Sequence, residues 1–175
     1  MVTMGASGRQ NVDDCRIGLI SDTHDYFDPS LRKIFQDVSH IVHAGDVGRP
    51  SILLELEQIA PVTAVMGNTD YDLGLKDFDW VEVGSRRLMI HHIVGLPVPE
   101  TQVSQHISRG RADVVVFGHT HRPHRQSMGG VLFVNPGYAG RRKAGVNRSV
   151  AILECSKDDM RVVFIPLDGS VSQRM

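Results

Sequence analysis

Several features are scarce in this sequence, and each shortage excludes a class of protein. Only two of its 175 residues are cysteines, Cys15 and Cys155, and neither belongs to a CxxC motif. Such usage is typical of reduced thiols in a cytoplasmic protein and not of a small secreted domain held by disulfides. No stretch approaches the roughly 18 consecutive apolar residues of a membrane span, so the sequence predicts none.

The sequence also lacks an excess of charge of either sign. Its 19 Lys and Arg residues nearly balance its 20 Asp and Glu residues, which leaves a net charge of −1. This balance gives no indication of nucleic-acid binding, and an anionic substrate would need a local attraction such as a bound metal. The length predicts a single domain at residues 15–175, preceded by a polar and mobile leader at residues 1–14.

Histidine, by contrast, is abundant, with nine residues against one Trp and three Tyr. Metal ligation is a common use for such an excess. Two of these histidines, His119 and His121, follow an apolar strand at 114–117 that ends at Gly118. If the backbone stays extended there, the two imidazoles point the same way. Taken alone, however, this pair favours two hydrogen-bonded turn histidines over a metal site.

Four other predicted strands also end in side chains that can bind a metal. Strands at 16–20, 40–43 and 62–66 alternate with helical segments, a pattern that predicts right-handed βαβ units. We expect the polar ends of all five strands to meet at one edge of the fold. The residues concerned are Asp22 and His24, then Asp46, then Asn68 and Asp70, then His91 and His92, and finally His119 and His121.

The chemistry of this set is coherent. Carboxylates, imidazoles and one amide oxygen suit a first-row divalent cation, and the lack of cysteine argues against a structural zinc site. The remainder of the chain predicts hairpins at Gly84-Ser85 and Gly129-Gly130, with helices starting near Pro29, Pro50 and Pro99. The whole predicts an α/β fold, a four-layer α-β-β-α sandwich of two mixed sheets with helices outside.

The ordered motifs resemble a known family. Asp-x-His, Gly-Asp, Gly-Asn-x-Asp, a strand-end His and Gly-His-x-His together resemble the calcineurin-like metallophosphoesterase superfamily. The turn at Asn135-Pro136-Gly137 is similar to that of its small, single-domain bacterial and archaeal phosphodiesterase branch. The resemblance extends from about Arg16 to the end of the chain, and five ordered motifs are far more specific than one.

The resemblance implies a dinuclear metal-dependent phosphoesterase, in which a metal-bridging hydroxide attacks phosphorus. Mn2+ is the favoured ion, with Ni2+, Fe2+, Co2+ and Zn2+ as alternatives. Relatives imply three roles for the matching positions. The first ion would be held by Asp22, His24 and His121, the second by Asn68, His91 and His119, and Asp46 would bridge the two.

Three positions depart from the family pattern. Thr69 stands where many relatives have a histidine that is thought to protonate the leaving group, and Tyr138 stands where they often have serine. His92 stands where relatives usually have glycine, and it either replaces the missing acid or packs against the turn, which we favour. We take Asn68, Asp70 and His92 as candidate catalytic residues, although Asp70 also suits a supporting hydrogen-bond acceptor.

These observations favour phosphodiesters as substrates, because the ligand set is complete but no general acid is evident. The alternatives are a phosphomonoesterase for a nucleotide or small phosphorylated compound and a non-catalytic scaffold of the same fold. We expect a small phosphoester substrate, no membrane partner and a cytoplasmic location, and we leave a homo-oligomer open. A basic run at Arg141, Arg142, Lys143 and Arg148 is usually a solvated face, but it could also receive a phosphate-rich substrate.

Overall fold

The computed structural model describes residues 14–96 and 102–168. The predicted leader at residues 1–14 therefore lies outside the described residues, apart from Asp14. Ten strands and three helices make up the described part of the chain. In chain order the strands are β1 (Cys15–Ile20), β2 (His40–His43), β3 (Val62–Ala64), β4 (Phe78–Val83), β5 (Arg86–His91), β6 (Val114–Val116), β7 (His124–Met128), β8 (Val131–Asn135), β9 (Ser149–Cys155) and β10 (Met160–Pro166). The helices are α1 (Leu31–Ile34), α2 (Pro50–Glu57) and α3 (Gln102–Gly110).

The strands form two sheets, and both are mixed. The first sheet has the order β10-β9-β1-β2-β3, with β1, β2 and β3 parallel and with β9 and β10 joined to them antiparallel. The second sheet has the order β4-β5-β6-β8-β7, with a parallel centre of β5, β6 and β8 and an antiparallel strand on each side. The predicted α/β class with two mixed sheets is confirmed.

The buried apolar residues show how the layers are stacked. One cluster lies between the sheets, where Leu19 of β1 and Ile90 of β5 belong to the same core. A second cluster joins the outer face of the first sheet to α1 and α2, and a third joins the outer face of the second sheet to Ile107 of α3. The order helix, sheet, sheet, helix is therefore the predicted four-layer sandwich.

The hairpins and helix starts predicted from the sequence agree with the structure to within a few residues. The predicted glycine hairpins connect β4 to β5 and β7 to β8. Pro50 is the first residue of α2, whereas α1 starts two residues after Pro29, because Asp28 Oδ1 accepts the hydrogen bonds of Ser30 N and Oγ before the helix begins. Within the described ranges, no helix has the length and apolar character needed to cross a membrane.

Candidate metal centre

Four side chains from both sheets converge at the carboxyl ends of β1, β2 and β6. Asp22, His24, Asp46 and His121 each offer one ligand atom, and these atoms lie within 4.8 Å of one another. His121 Nε2 lies 3.2 Å from His24 Nε2 and 3.3 Å from Asp22 Oδ1, and His24 Nε2 lies 3.7 Å from Asp46 Oδ2. We call these four residues the first ligand group.

The environment of Asp22 fits a bound cation. This residue is completely buried, and its Oδ2 accepts hydrogen bonds from Ser21 Oγ at 2.6 Å and from His119 N at 3.1 Å. Its Oδ1 has no hydrogen-bond partner, although it is equally buried. Leaving a buried carboxylate oxygen unpaired is costly, so such atoms are rare in folded proteins. A divalent cation in the first ligand group would satisfy this oxygen.

A second ligand group is centred on Asn68. Its Oδ1 lies 2.8 Å from His119 Nδ1 and 3.0 Å from His92 Nε2. Asp46 Oδ1 lies 3.4 Å from the same His92 nitrogen, while Asp46 Oδ2 faces His24 of the first group. The two carboxylate oxygens of Asp46 thus face different groups, which is the arrangement that a bridging ligand requires.

His92, and not His91, occupies the place that the sequence comparison gave to the strand-end histidine. The ring of His92 is buried, with Nδ1 2.7 Å from the carbonyl oxygen of Ala44 and Nε2 directed at Asn68. His91 is half-buried outside the ligand groups, and its Nδ1 accepts a hydrogen bond from Ile93 N. The assignment of His91 as a ligand is therefore corrected to His92.

Strand geometry explains this shift by one residue. Side chains alternate between the two faces of a strand. Leu88 and Ile90 lie in the core between the sheets, and His92 continues their direction into the centre. His91 instead follows Met89, which packs in the cluster on the outer face near α3. Because all three residues before the two histidines are apolar, the sequence does not show which of the two histidines faces inward.

The backbone at the centre adopts a conformation that is uncommon for residues other than glycine. Asp22, His24, Asp46, His119 and His121 have φ values of 56°, 43°, 54°, 69° and 57°. Such left-handed residues are costly and often cluster at functional sites. The expectation of extended backbone at the two strand-end histidines is therefore wrong. Because their backbone turns, His121 joins the first ligand group and His119 faces Asn68.

Asp70 stabilises the loops around the centre, because the three hydrogen bonds that it accepts come from backbone N–H groups and not from side chains of the ligand groups. Its Oδ1 accepts from Gly48 N at 2.7 Å, and its Oδ2 accepts from Gly67 N at 2.8 Å and from Val47 N at 3.1 Å. These bonds tie the loop after β2, which carries Asp46, to the loop after β3. The structure thus places this candidate catalytic residue behind the centre.

Two buried residues outside the predicted ligand set, His43 and Thr23, hold the loops from the other side. His43 Nδ1 accepts a hydrogen bond from Gly45 N at 3.3 Å, and its Nε2 lies 3.0 Å from Thr23 Oγ1. The Thr23 hydroxyl in turn donates to Val47 O at 2.9 Å. Burial lowers the pKa of His43 to about 4, so its ring is neutral near pH 7. The sequence signal for this role is the position of His43 at the end of an apolar strand, three residues before Asp46.

The pKa shifts of Asp46 and His24 favour the protonation states that metal ligands need. Burial opposes ionisation of Asp46, but hydrogen bonds from His92 and from Thr69 N outweigh it and hold the pKa of Asp46 below its ordinary value. Burial lowers the pKa of His24, and the positive charge of Lys143 adds to that effect, while Asp46 opposes it. Near neutral pH the centre therefore offers an ionised carboxylate and a neutral imidazole, the forms that bind metals.

Comparison with known proteins agrees with this geometry. The sequence model of the calcineurin-like phosphoesterase superfamily domain matches residues 15–158. The chain belongs to this superfamily. A probable metallophosphoesterase of Methanothermobacter thermautotrophicus is 36% identical over 129 residues, which are 69% of this chain and 75% of that protein. A phosphodiesterase of Methanocaldococcus jannaschii is 30% identical over 170 residues, which are 86% of this chain and 99% of that protein.

Solved structures of calcineurin-like proteins share the fold. An archaeal phosphodiesterase superposes with a TM-score of 0.68 at 29% identity, covering 86% of this chain and 99% of that one. A zinc complex of Vps29 from Entamoeba histolytica superposes with a TM-score of 0.73 at 19% identity, covering 91% of this chain and 98% of that one. At that lower identity, the likeness to Vps29 shows the fold alone.

Proposed function

We propose that this calcineurin-like protein is a dinuclear metal-dependent phosphodiesterase. The observation that carries the proposal is the buried, unpartnered Oδ1 of Asp22 among the ligand atoms of His24, Asp46 and His121. A protein that kept this arrangement without a cation would bear the cost of an unpaired buried carboxylate. The similarity to a phosphodiesterase over almost the full length of that relative supports the choice of reaction.

The two ligand groups would hold two divalent cations. The first would bind to Asp22, His24 and His121, the second to Asn68, His92 and His119, with Asp46 shared between them. Bound there, the cations would supply Lewis-acid charge and an activated water for attack on phosphorus. Mn2+ is our first choice because oxygen and imidazole ligands are mixed, and Ni2+, Fe2+, Co2+ and Zn2+ accept the same ligands.

The chain's own residues favour diesters that have a good leaving group. Thr69, which replaces the usual histidine, is exposed and cannot act as an acid near neutral pH. Both ring nitrogens of His92 face other groups, Ala44 O on one side and Asn68 and Asp46 on the other. This arrangement supports a ligand role for His92 over a proton-donor role, so phenol-like leaving groups should react best.

The test is hydrolysis of bis(p-nitrophenyl) phosphate by metal-stripped protein reloaded with Mn2+, Ni2+, Co2+ or Zn2+. Turnover with at least one metal is expected, and Asp46→Asn should abolish it because the shared negative charge is lost. Asp72→Asn is the matched control, since Asp72 is exposed and has φ 53° against 54° for Asp46. Failure of all four metals to give turnover would refute the proposal.

The same preparation distinguishes the alternative functions. A higher kcat/KM for p-nitrophenyl phosphate than for the diester would indicate a phosphomonoesterase. Binding of far fewer than two ions per chain after Mn2+ loading, together with no turnover, would indicate a scaffold. Elemental analysis of the dialysed protein measures this stoichiometry directly.

A cytoplasmic location is also part of the proposal. Cys15 and Cys155 face each other across β1 and β9 as buried free thiols, and burial raises the pKa of Cys155 to about 12. Such thiols are unreactive and suit a reducing compartment. Detection of the protein in the membrane or secreted fraction of its source cells would contradict this location.

A further inference from the structure

The basic run after the Asn-Pro-Gly turn divides into two pairs with different surroundings. Arg148 is buried, and its guanidinium contacts Asp28 Oδ2 at 2.6 Å, Asp168 Oδ1 at 3.3 Å and Gly140 O at 2.5 Å. Arg142 Nε lies 3.0 Å from the same Asp168 oxygen. These two arginines therefore fasten the loop at residues 140–148 to the body of the protein.

The other two cations of the run, Arg141 and Lys143, lie over aromatic rings, and the Tyr26 ring also contacts the buried Arg148. The guanidinium carbon of Arg141 is 5.2 Å from the centre of the Tyr26 ring, and Lys143 Nζ is 5.1 Å from the centre of the Tyr138 ring. Cation–π contacts of this kind hold a positive charge in place while leaving its hydrogen-bond donors exposed. Among the residues that the structure describes, no carboxylate lies within salt-bridge distance of either cation.

The Tyr138 ring adjoins the first ligand group, and Tyr26 lies in the loop that carries His24. The ring of Tyr138 is buried, and its centre lies 4.7 Å from that of His121 and 5.9 Å from that of His24. Tyr26 follows His24 by two residues in the same loop, where its N–H bonds to Thr23 O. The Tyr138 ring thus contacts both Lys143 and the ligand His121, and Arg141 lies over a ring of the loop that carries His24. We call Arg141 and Lys143 the rim cations.

The surroundings of the second ligand group are different. A cavity of about 290 Å³ beside Asn68 is lined by apolar Met66 and Ile93, by His91 and His92, and by the carboxylate residue Asp77. Its lining residues include no lysine or arginine, so an additional anionic group would be attracted more strongly to the cations beside Tyr26 and Tyr138. The two substituents of a diester would therefore meet different electrostatic surroundings.

We propose that Arg141 and Lys143 form a second anion subsite, which selects phosphodiesters that carry an additional phosphate group. This inference rests on the proposed function and specifies its substrate class. The diester charge itself is matched by the metal centre, whereas the two rim cations provide donors for a further dianion. The overall charge of −1 makes this selection local, because the chain as a whole does not attract anions.

The test uses a matched pair of substrates, thymidine 5′-(p-nitrophenyl phosphate) and the same compound with a 3′-phosphate. Wild-type protein loaded with Mn2+ should favour the 3′-phosphate compound in kcat/KM by roughly fivefold, since rim charges contribute modestly. The preference should shrink as salt is raised, because the cations are exposed. Equal kcat/KM values in a protein that hydrolyses both compounds would overturn the subsite and leave the proposed function intact.

Variants of Arg141 and Lys143 test whether these two residues cause the preference for the 3′-phosphate compound. Lys143→Gln and Arg141→Gln should each reduce the ratio of the two kcat/KM values, and the double variant should bring it close to one. Lys33→Gln is the control, because it removes the same charge from an exposed position in α1, outside the loop at residues 140–148. A loss of the ratio in Lys33→Gln as large as that in Lys143→Gln would mean that only the total charge matters, and would overturn the subsite.

A binding measurement tests the subsite without relying on turnover. Metal-stripped protein should bind thymidine 3′,5′-bisphosphate about fivefold more tightly than thymidine 5′-monophosphate by calorimetry at low salt. Lys143→Gln should lose this difference. If the wild-type protein binds both nucleotides equally, the subsite is refuted; if the difference is present but no diester is hydrolysed, the subsite stands and the proposed reaction fails.

Discussion

The neutral, buried His43 should make the protein lose stability as the pH falls. Its Nδ1 accepts the Gly45 N–H, and its Nε2 can donate to Thr23 Oγ1, whose own proton goes to Val47 O. One proton on the ring therefore satisfies every partner. A second proton on Nδ1 would face the Gly45 N–H group in a fully buried position, which explains why the folded protein resists protonation here.

The sign and size of the effect follow from the two pKa values. The pKa of His43 is about 4 in the folded chain, against an ordinary value of 6.5. Between these values the unfolded chain binds more protons, so stability is complete above pH 6.5 and falls as the pH decreases towards 4. At pH 5 the loss relative to pH 8 amounts to about 2 kcal/mol.

The assay is urea unfolding of metal-stripped protein at pH 8 and pH 5. Wild-type protein should lose about 1 M more in its urea midpoint over this range than His43→Gln, whose side chain can still donate to Thr23 but does not titrate. His124→Gln, at an exposed position in β7, is the control and should behave like the wild type. Equal losses in wild type and His43→Gln would refute the reasoning.

Three further predictions concern the metal centre. Asp22→Asn should abolish the rise in Tm on adding Mn2+, while the Tm in chelator should stay equal or increase, because a neutral amide replaces a buried carboxylate whose Oδ1 has no hydrogen-bond partner; a lower Tm in chelator would contradict this account of Asp22. His92→Ala should reduce the bound Mn2+ measured by elemental analysis from two ions to about one per chain, whereas His91→Ala should leave it unchanged. In Gly118→Ala the added Cβ would overlap Ser21 Oγ and lie 2.8 Å from Asp22 Oδ2, so denaturant unfolding should show a loss of about 1–3 kcal/mol; a neutral result would show that the loops of the two sheets can separate there at no cost.

The architecture could be predicted from the sequence because its signals are local. Short apolar runs separated by helical segments predicted the parallel strands, and the Gly-Ser and Gly-Gly pairs predicted the hairpins that connect β4 to β5 and β7 to β8. The predicted strand at 62–66 is shorter in the structure and ends at Ala64. Val65 N still bonds to His43 O of β2, but Met66 N bonds to Lys76 O instead, a partner that no local pattern reveals.

The candidate site could be predicted in outline but not in detail. Residue types and order were enough to bring the strand ends together, whereas the choice between His91 and His92 depended on which strand face meets the other sheet. The turned backbone at His119 and His121 also escaped prediction, since left-handed φ values of non-glycine residues depend on the surrounding loops. Lys143 is placed by tertiary contact with an aromatic ring, which spacing alone does not show.

The two sheets meet at the metal centre, so the centre can link one sheet to the other. Its ligands come from both halves of the sandwich: Asp22 and Asp46 follow strands of the first sheet, and His92 and His121 follow strands of the second. A cation bound between these ligands would link the two sheets at the edge where the apolar core between them ends. The free energy of unfolding would then depend on whether the centre holds its cations. Loss of the cations would weaken the contact between the two sheets at the edge where we propose that the substrate binds.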